Sequence, residues 1–194
     1  MLLKLQQAGK PVLRKVARTV TRQELATKYV QDIIDCMIAT LRDAPGVGLA
    51  APQIGESLQI CIIEDKAKYH KNLSEELLKA QDRKSIPLMV LVNPKLEILD
   101  EETELFFEGC LSIDDYAGAV PRARKVAITG WDREGKEVSF TATNYHARIL
   151  QHEIDHLDGH LYVDRMKPKS FMTHKNFVLL WKNALPEKIN KSFK

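Results

Sequence analysis

The chain has 194 residues, of which 44% are hydrophobic and 28% charged, a composition typical of a globular domain rather than of a disordered chain. No stretch approaches the roughly 18 uninterrupted apolar residues of a membrane-spanning helix, so no membrane association is expected. The formal net charge is only +3, but residues 165–194 carry eight Lys or Arg and one acidic residue. We predict a single domain over residues 1–194, with a basic C-terminal helix or tail over residues 167–194.

The first predicted element is a helix. Residues 21–24, Thr-Arg-Gln-Glu, have the pattern of a capping box, and apolar residues follow at helical spacing from Leu25 to Leu41. This pattern predicts one core-facing helix that ends near residues 43–46. Short runs rich in Val, Ile and Leu come next and favour strands, with a hairpin connection at 132–135. The predicted strands are 58–63, 88–92, 96–99, 124–131 and 138–142.

The polar stretch 65–87 lies between the first two of these strands and is predicted to be a surface insertion of low functional content, with a short helix at 74–78. Further along, Asn144 is predicted to cap a second helix that runs to about Leu157 and is closed by Gly159. Residues 161–163 favour one more strand.

Residues 170–183 favour a terminal helix, with Phe177, Leu180 and Trp181 on its buried side. Helices and strands are therefore segregated along the chain rather than alternating. This order predicts an α+β fold, with antiparallel or mixed strands packed around a central helix and further helices at both ends of the chain.

The strongest chemical signal is the run Gln151–His156, QHEIDH. Two histidines four residues apart lie on one side of a helix, so both imidazoles can reach one metal ion, and Glu153 stands beside the ion as a general base. The alternative is a surface helix that happens to carry two histidines. A catalytic site of this kind needs a third protein ligand and an open position for water.

Downstream positions do not supply that ligand. The third histidine of the metzincin pattern is replaced by Tyr162, and a thermolysin-like site would need a downstream helical glutamate, where the chain has only Glu187 after a proline. Cys110, in the run Glu108–Ser112, is the remaining candidate, because a thiolate is a strong ligand for borderline or soft divalent metals. A lone cysteine is, however, often a small buried apolar residue.

The third informative segment is Gly46–Gly55, GVGLAAPQIG. Its three glycines and small residues predict a loop and strand edge that another backbone, such as a peptide, can approach closely. The phosphate-binding patterns GxGxxG and GxxxxGK[ST] are absent from it, so no nucleotide cofactor is expected.

Taken together, these three segments resemble the signatures of the peptide deformylase family, GxGLAAxQxG, EGCxS and QHExDH, which the chain contains without a mismatch. The resemblance extends from about residue 3 to residue 166. Residues 147–150 and 157–166 look most like the subgroup that includes mitochondrial and plastid enzymes and that bacteria also carry. The resemblance implies a hydrolase that removes the formyl group from the N-terminal formyl-methionine of nascent polypeptides.

The resemblance also implies a role for individual residues. Cys110, His152 and His156 would hold the metal, Fe(II) in the native form, with zinc, nickel or cobalt able to replace it. Glu153 would be the base, while the Gln53 side-chain amide and the Leu111 backbone N–H would donate hydrogen bonds to the developing oxyanion. The candidates for contact with the substrate are Val47, Gly48, Phe106, Gly109 and Ile149.

One position departs from the family pattern. Many members place an arginine seven residues after the cysteine, where it helps to hold the peptide backbone, and this chain has Ala117 there. The departure predicts weaker peptide anchoring, which an arginine restored at this position would improve. Arg122 is nearby in sequence but occupies a different position of the family pattern, and it could equally form a structural ion pair with Glu108.

Other functions stay open at this point. A zinc peptidase, a structural Cys-His-His metal site, and a degenerate deformylase kept as a ribosome-binding module are the alternatives. The basic C-terminal segment is predicted either to be solvated or to meet an anionic partner, such as the RNA of the ribosome. Three widely spaced cysteines argue for a reducing compartment, which would be the bacterial cytoplasm, a mitochondrion or a plastid.

Overall fold

Antiparallel strands form the main sheet of the computed structural model, which describes residues 1–193. The strands are β1 (Gly48–Ala50), β2 (Ile60–Asp65), β3 (Ile86–Cys110), β4 (Ile113–Trp131), β5 (Glu137–Thr143) and β6 (Met172–Thr173). They pair in the order β1-β2-β3-β4-β5, and β6 pairs with β4 outside this path. The helices are α1 (Arg22–Leu25), α2 (Lys28–Asp43), α3 (Glu75–Ala80), α4 (Asn144–Leu157), α5 (His174–Leu180) and α6 (Pro186–Phe193). The predicted α+β class is confirmed.

The longest feature of the sheet is the β3–β4 hairpin. The runs predicted as separate strands at 88–92 and 96–99 belong to one strand, β3, whose pairing with β4 shifts register between Val92 and Lys95. Pro94 lies in this irregularity, where its missing N–H costs no ladder hydrogen bond. Two residues, Leu111 and Ser112, connect β3 to β4, so the hairpin turn projects Cys110 from the end of a long strand.

The predicted N-terminal helix is divided in two. The capping box is present, since Glu24 N donates to Thr21 Oγ1 (3.1 Å) and Thr21 N donates to Glu24 Oε2 (2.9 Å). However, α1 ends at Leu25, because Thr27 caps a new helix by accepting a hydrogen bond from Val30 N (3.4 Å). The second helix, α2, ends at Asp43 as predicted and buries its apolar face.

Helix α4 packs on the sheet and has the predicted end at Leu157. Thr143 rather than Asn144 occupies its N-cap position, and Gly159 follows it with a positive φ of 79°. A Cβ at this glycine would meet the Arg14 backbone at 2.9 Å, so glycine is needed there for both conformation and space. Residues Tyr162–Asp164 form a 3-10 helix instead of the predicted strand, in which Asp164 accepts a hydrogen bond from Leu161 N (2.8 Å).

The C-terminal segment also differs from the prediction. Instead of one helix over 170–183, β6 pairs Met172 with Ala117 of β4, and Thr173 then caps α5. Phe177 and Trp181 pack inward as predicted, but Leu180 is 57% exposed. Within residues 1–193 there is no helix with the length and apolar character that a bilayer crossing requires.

Candidate metal centre and active-site cleft

Three candidate metal ligands meet where the β3–β4 hairpin approaches α4. One ligand atom each from Cys110, His152 and His156 lies within 4.8 Å of the other two. The Cys110 Sγ atom is 3.3 Å from His156 Nε2, and the two imidazole ring centres are 5.0 Å apart. Four-residue spacing along α4 places both rings on the same side of the helix. A thiolate and two imidazoles at these distances fit a single divalent metal ion.

Glu108 orients the first histidine. His152 Nδ1 lies 2.8 Å from Glu108 Oε2, and a proton on this nitrogen, donated to the carboxylate, leaves Nε2 free for a metal. Burial opposes the charge on Glu108, but the Arg122 guanidinium outweighs this effect and lowers the pKa of the carboxyl group. The second histidine, His156, has a lowered pKa, because its burial and then the neighbouring His152 disfavour the charged imidazolium. Both effects favour the neutral, metal-binding form.

Buried charged side chains form a hydrogen-bonded network next to these ligands. Arg122 donates two hydrogen bonds of 2.9 Å to Glu108 and one of 2.6 Å to Asp155, which lies between the two histidines on α4. Arg165 donates two more, both 2.8 Å, to the same Asp155. The expected pairing of Arg122 with Glu108 is thus confirmed, and the network fixes β3, β4 and α4 relative to one another.

Arg122→Met is expected to lower the free energy of unfolding of the metal-free protein by about 3–5 kcal/mol, because Glu108 loses its counter-charge while buried. The measurement is urea unfolding of the two forms. Arg124→Met is the matched control, since Arg124 lies two residues further along β4 in an exposed pair with Glu102, a kind worth about 0–1 kcal/mol. Equal losses for the two variants would contradict the assigned role of the network.

Glu153 follows the first histidine and is almost fully buried. The residue is 3% exposed, and among the described residues its Oε2 atom has no hydrogen-bond partner. Burial raises the pKa of this carboxyl group to about 7, a value suited to taking up and releasing a proton near neutral pH. An orphaned carboxylate oxygen beside a Cys-His-His set fits a site that holds a metal and water.

The space for this carboxylate comes from a glycine in β1. A Cβ built on Gly48 would lie 2.2 Å from Glu153 Oε1 and 2.8 Å from its Cγ, so any side chain at position 48 displaces Glu153. The glycine-rich segment therefore lets the strand edge pass directly against the acid.

Gly48→Ala is expected to lower kcat roughly 10- to 100-fold with the metal retained, because the carboxylate moves while the three ligands stay in place. Steady-state turnover and metal content test this together. In a Glu153→Ala background the same substitution is expected to cost almost nothing further. Additive losses in the double variant would show that Gly48 acts through something other than Glu153.

Gln53 is buried and held in one orientation. Its Oε1 atom accepts a hydrogen bond from Ala50 N (2.8 Å), which directs Nε2 towards Cys110 Sγ (3.5 Å) and Ser112 Oγ (3.3 Å). The amide donor therefore points into the space around the three candidate ligands. Leu111, in the hairpin turn, lines the same cavity.

The cavity has a volume of about 570 Å³, within the range usual for ligand sites. The predicted substrate contacts Val47, Gly48, Gly109 and Ile149 all line it, together with His152 and Glu153. Phe107, the next residue of β3, also lines the cavity, while Phe106 stays a prediction. The Arg148 guanidinium, which lies 4.9 Å from the centre of the Phe106 ring, lines the cavity as well.

Two segments line the cavity that sequence reasoning did not assign to the site. Tyr69, Leu73 and Leu77 come from the polar insertion, which the sequence predicted to have low functional content. Phe177 and Trp181 come from α5 and its end. In each of these two segments the only sequence signal was a pair of apolar residues four apart. Such a pair predicts a buried helical face, but it does not predict which part of the protein that face packs against.

Ala117 is covered by the C-terminal segment. The residue is 2% exposed, pairs with Met172 of β6, and packs in a cluster with Ala184 and Ile189. An arginine here would place a charge inside this apolar cluster, so we expect Ala117→Arg to lower stability rather than to improve peptide anchoring. The small side chain is instead compatible with the close pairing of β6 with β4 at this position.

Comparison with known proteins gives consistent relatives. A sequence model described as polypeptide deformylase matches residues 2–172. Peptide deformylase 1A, chloroplastic/mitochondrial, of Arabidopsis thaliana is 48% identical over 93% of this chain, which spans 67% of that protein. Peptide deformylase 3 of Streptomyces avermitilis is 40% identical over 93% of this chain, and the match covers 79% of the Streptomyces protein. The Met-Ala-Ser-bound structure of class I type b peptide deformylase from Acinetobacter baumannii has a TM-score of 0.75 and 32% identity, covering 86% of this chain and 99% of that one.

Proposed function

We infer the chemistry of the cleft from its family: this chain belongs to the peptide deformylases, hydrolases that remove the formyl group from the N-terminal formyl-methionine of nascent polypeptides. The observation that carries the mechanistic proposal is the convergence of Cys110, His152 and His156 within 4.8 Å beside the buried Glu153. We propose that residues 1–194 act as one catalytic domain, since segments from both halves of the chain line the cleft.

Cys110, His152 and His156 would hold the metal, and we propose Fe(II) as the native ion, with zinc, nickel or cobalt able to replace it. The donor set supports this proposal, because thiolate and imidazole suit these metals better than magnesium or calcium. When bound, such an ion supplies Lewis acidity towards the formyl oxygen and makes water more acidic.

The side chains around the ligands supply the remaining steps. Glu153 takes the proton of the attacking water and later passes it to the leaving amine of methionine. The Gln53 amide and the Leu111 backbone N–H donate to the developing oxyanion, where each donor is worth about 2.7–4 kcal/mol in the transition state. Gly48, which has no side chain, leaves room for the small formyl group beside Glu153.

The methionine side chain would enter the part of the cavity next to α4. Val47 and Ile149 give this region apolar surface, and Gly109 lets the peptide backbone approach the end of β3. Phe106 is kept as a candidate contact, and its neighbour Phe107, which lines the cavity, is a second one. These contacts orient the formyl carbon towards the ligands and Glu153.

The test is formate release from formyl-Met-Ala-Ser by protein purified without oxygen, combined with metal analysis. We expect about one metal ion per chain and release of formate but no hydrolysis of acetyl-Met-Ala-Ser, because a larger acyl group does not fit beside Gly48. Stoichiometric metal without formate release would favour a structural metal site. Cleavage of internal peptide bonds would favour a zinc peptidase.

We further propose that the enzyme acts where translation starts with formyl-methionine, in the bacterial cytoplasm or in a mitochondrion or plastid. Relatives of both origins support this. The basic C-terminal segment is proposed to meet ribosomal RNA, supported by the exposed lysines Lys169, Lys175, Lys188 and Lys191. Co-sedimentation with ribosomes at rising salt tests this, and binding that does not weaken with salt would contradict an electrostatic contact.

A further inference from the structure

The C-terminal helices are attached to the sheet by an aromatic cluster. Phe107 of β3 lies with its ring centre 5.3 Å from that of Phe177, 5.6 Å from Trp181 and 5.7 Å from Phe193, and Trp181 is 5.0 Å from Phe193. Rings at these separations pack favourably beyond the area they bury. Together with the β6–β4 pairing at Ala117, this cluster fixes α5 and α6 next to the end of β3 that carries Cys110.

The same helices form one side of the catalytic cavity. Phe177, Trp181 and Lys182 line the cavity that His152 and Glu153 also line, and we call residues 174–189 the C-terminal wall. Tyr69, Leu73 and Leu77 of the insertion also line this cavity. The cavity volume of about 570 Å³ lies in the range that holds ligands much larger than one side chain, so the cavity has room for residues beyond the methionine.

We propose that Trp181 is a specificity-determining residue that contacts the part of the nascent peptide that follows methionine. The proposal rests on the proposed function. Its position supports it, because Trp181 lies in the cavity wall yet outside residues 2–172, which the family model matches. An indole ring offers broad, rigid contact surface without a fixed hydrogen-bond pattern, which suits peptides of varied sequence.

The proposal predicts which kinetic constant changes. A contact with the peptide beyond methionine is made equally in the ground state and the transition state, so its loss raises KM and leaves kcat nearly unchanged. A substrate without those residues cannot lose the contact. Formyl-methionine alone is therefore an internal control for formyl-Met-Ala-Ser.

The experiment compares Trp181→Ala with the unsubstituted protein on both substrates, at equal metal content and with the fold checked by circular dichroism. We expect KM for formyl-Met-Ala-Ser to rise roughly tenfold, KM for formyl-methionine to stay within about twofold, and Trp181→Phe to recover most of the loss. Leu179→Ala is the matched control, because Leu179 lies on α5 two residues before Trp181 but is 75% exposed and does not line the cavity.

Two results would overturn the proposal. An unchanged KM for the tripeptide would show that the wall does not touch it, and an equal rise for both substrates would show that Trp181 shapes the metal centre instead. If the unsubstituted protein released no formate from either substrate, the proposed function itself would fail. The two failures are therefore distinguishable.

Discussion

Glu153→Ala is expected to keep the metal and to lose turnover by at least the roughly 10²–10⁴-fold that a positioned general base contributes. The three candidate ligands lie on other residues, so their geometry does not depend on this carboxylate. The side chain is buried, its Oε2 atom has no partner among residues 1–193, and Gly48 leaves space for it. A proton shuttle explains why an acid is placed there.

Metal content and kcat for formyl-Met-Ala-Ser are the measurements. Glu153→Gln is the companion variant, because it preserves size but cannot accept a proton, and it should be as inactive as the alanine form. If the Glu153→Gln variant kept more than a tenth of the normal kcat, proton transfer at this position would not be required. Loss of metal in either variant would instead make Glu153 a contributor to metal binding.

The chemistry of the site could be predicted because it lies in short motifs with clear local structure. Helical period and four-residue spacing place His152 and His156 on one face of α4, which ends at Leu157 as predicted although Thr143 rather than Asn144 is its N-cap. The third ligand required elimination, since the sequence alone does not show that Cys110 ends a strand of 25 residues. Pro94 divides the apolar pattern of that strand, and only pairing with β4 reveals its full length.

The walls of the cleft could not be predicted, because they depend on contacts between distant segments. Leu73 and Leu77 in the insertion, and Phe177 and Trp181 near the C-terminus, show a helical pattern that predicts burial without naming a partner. The choice between Phe106 and Phe107 depends on strand register, which shifts with every bulge in β3. Local sequence thus specifies the reacting groups better than the surfaces around them.

Cys110→Ala is expected to lose the metal and all detectable deformylation together. Cys110 is the only thiol among the three described ligand candidates, and removing it leaves two imidazoles, which bind a divalent ion far more weakly than three donors do. Gln53 Nε2 and Ser112 N both donate to the sulfur, at 3.5 Å and 3.4 Å, so the Cys110 side chain is held in place at the cleft.

The measurement is metal content after dialysis at a fixed free metal concentration, followed by formate release. Cys36→Ala is the matched control, since it also removes one free thiol but from α2, away from the cleft, and it should keep both metal and activity. The fold should survive in both variants, because Cys110 lies at the end of β3 and Cys36 on α2, and neither belongs to a core cluster. If Cys110→Ala retained stoichiometric metal at unchanged affinity, the third ligand would have to be another residue, and the resemblance at Glu108–Ser112 would no longer explain the site.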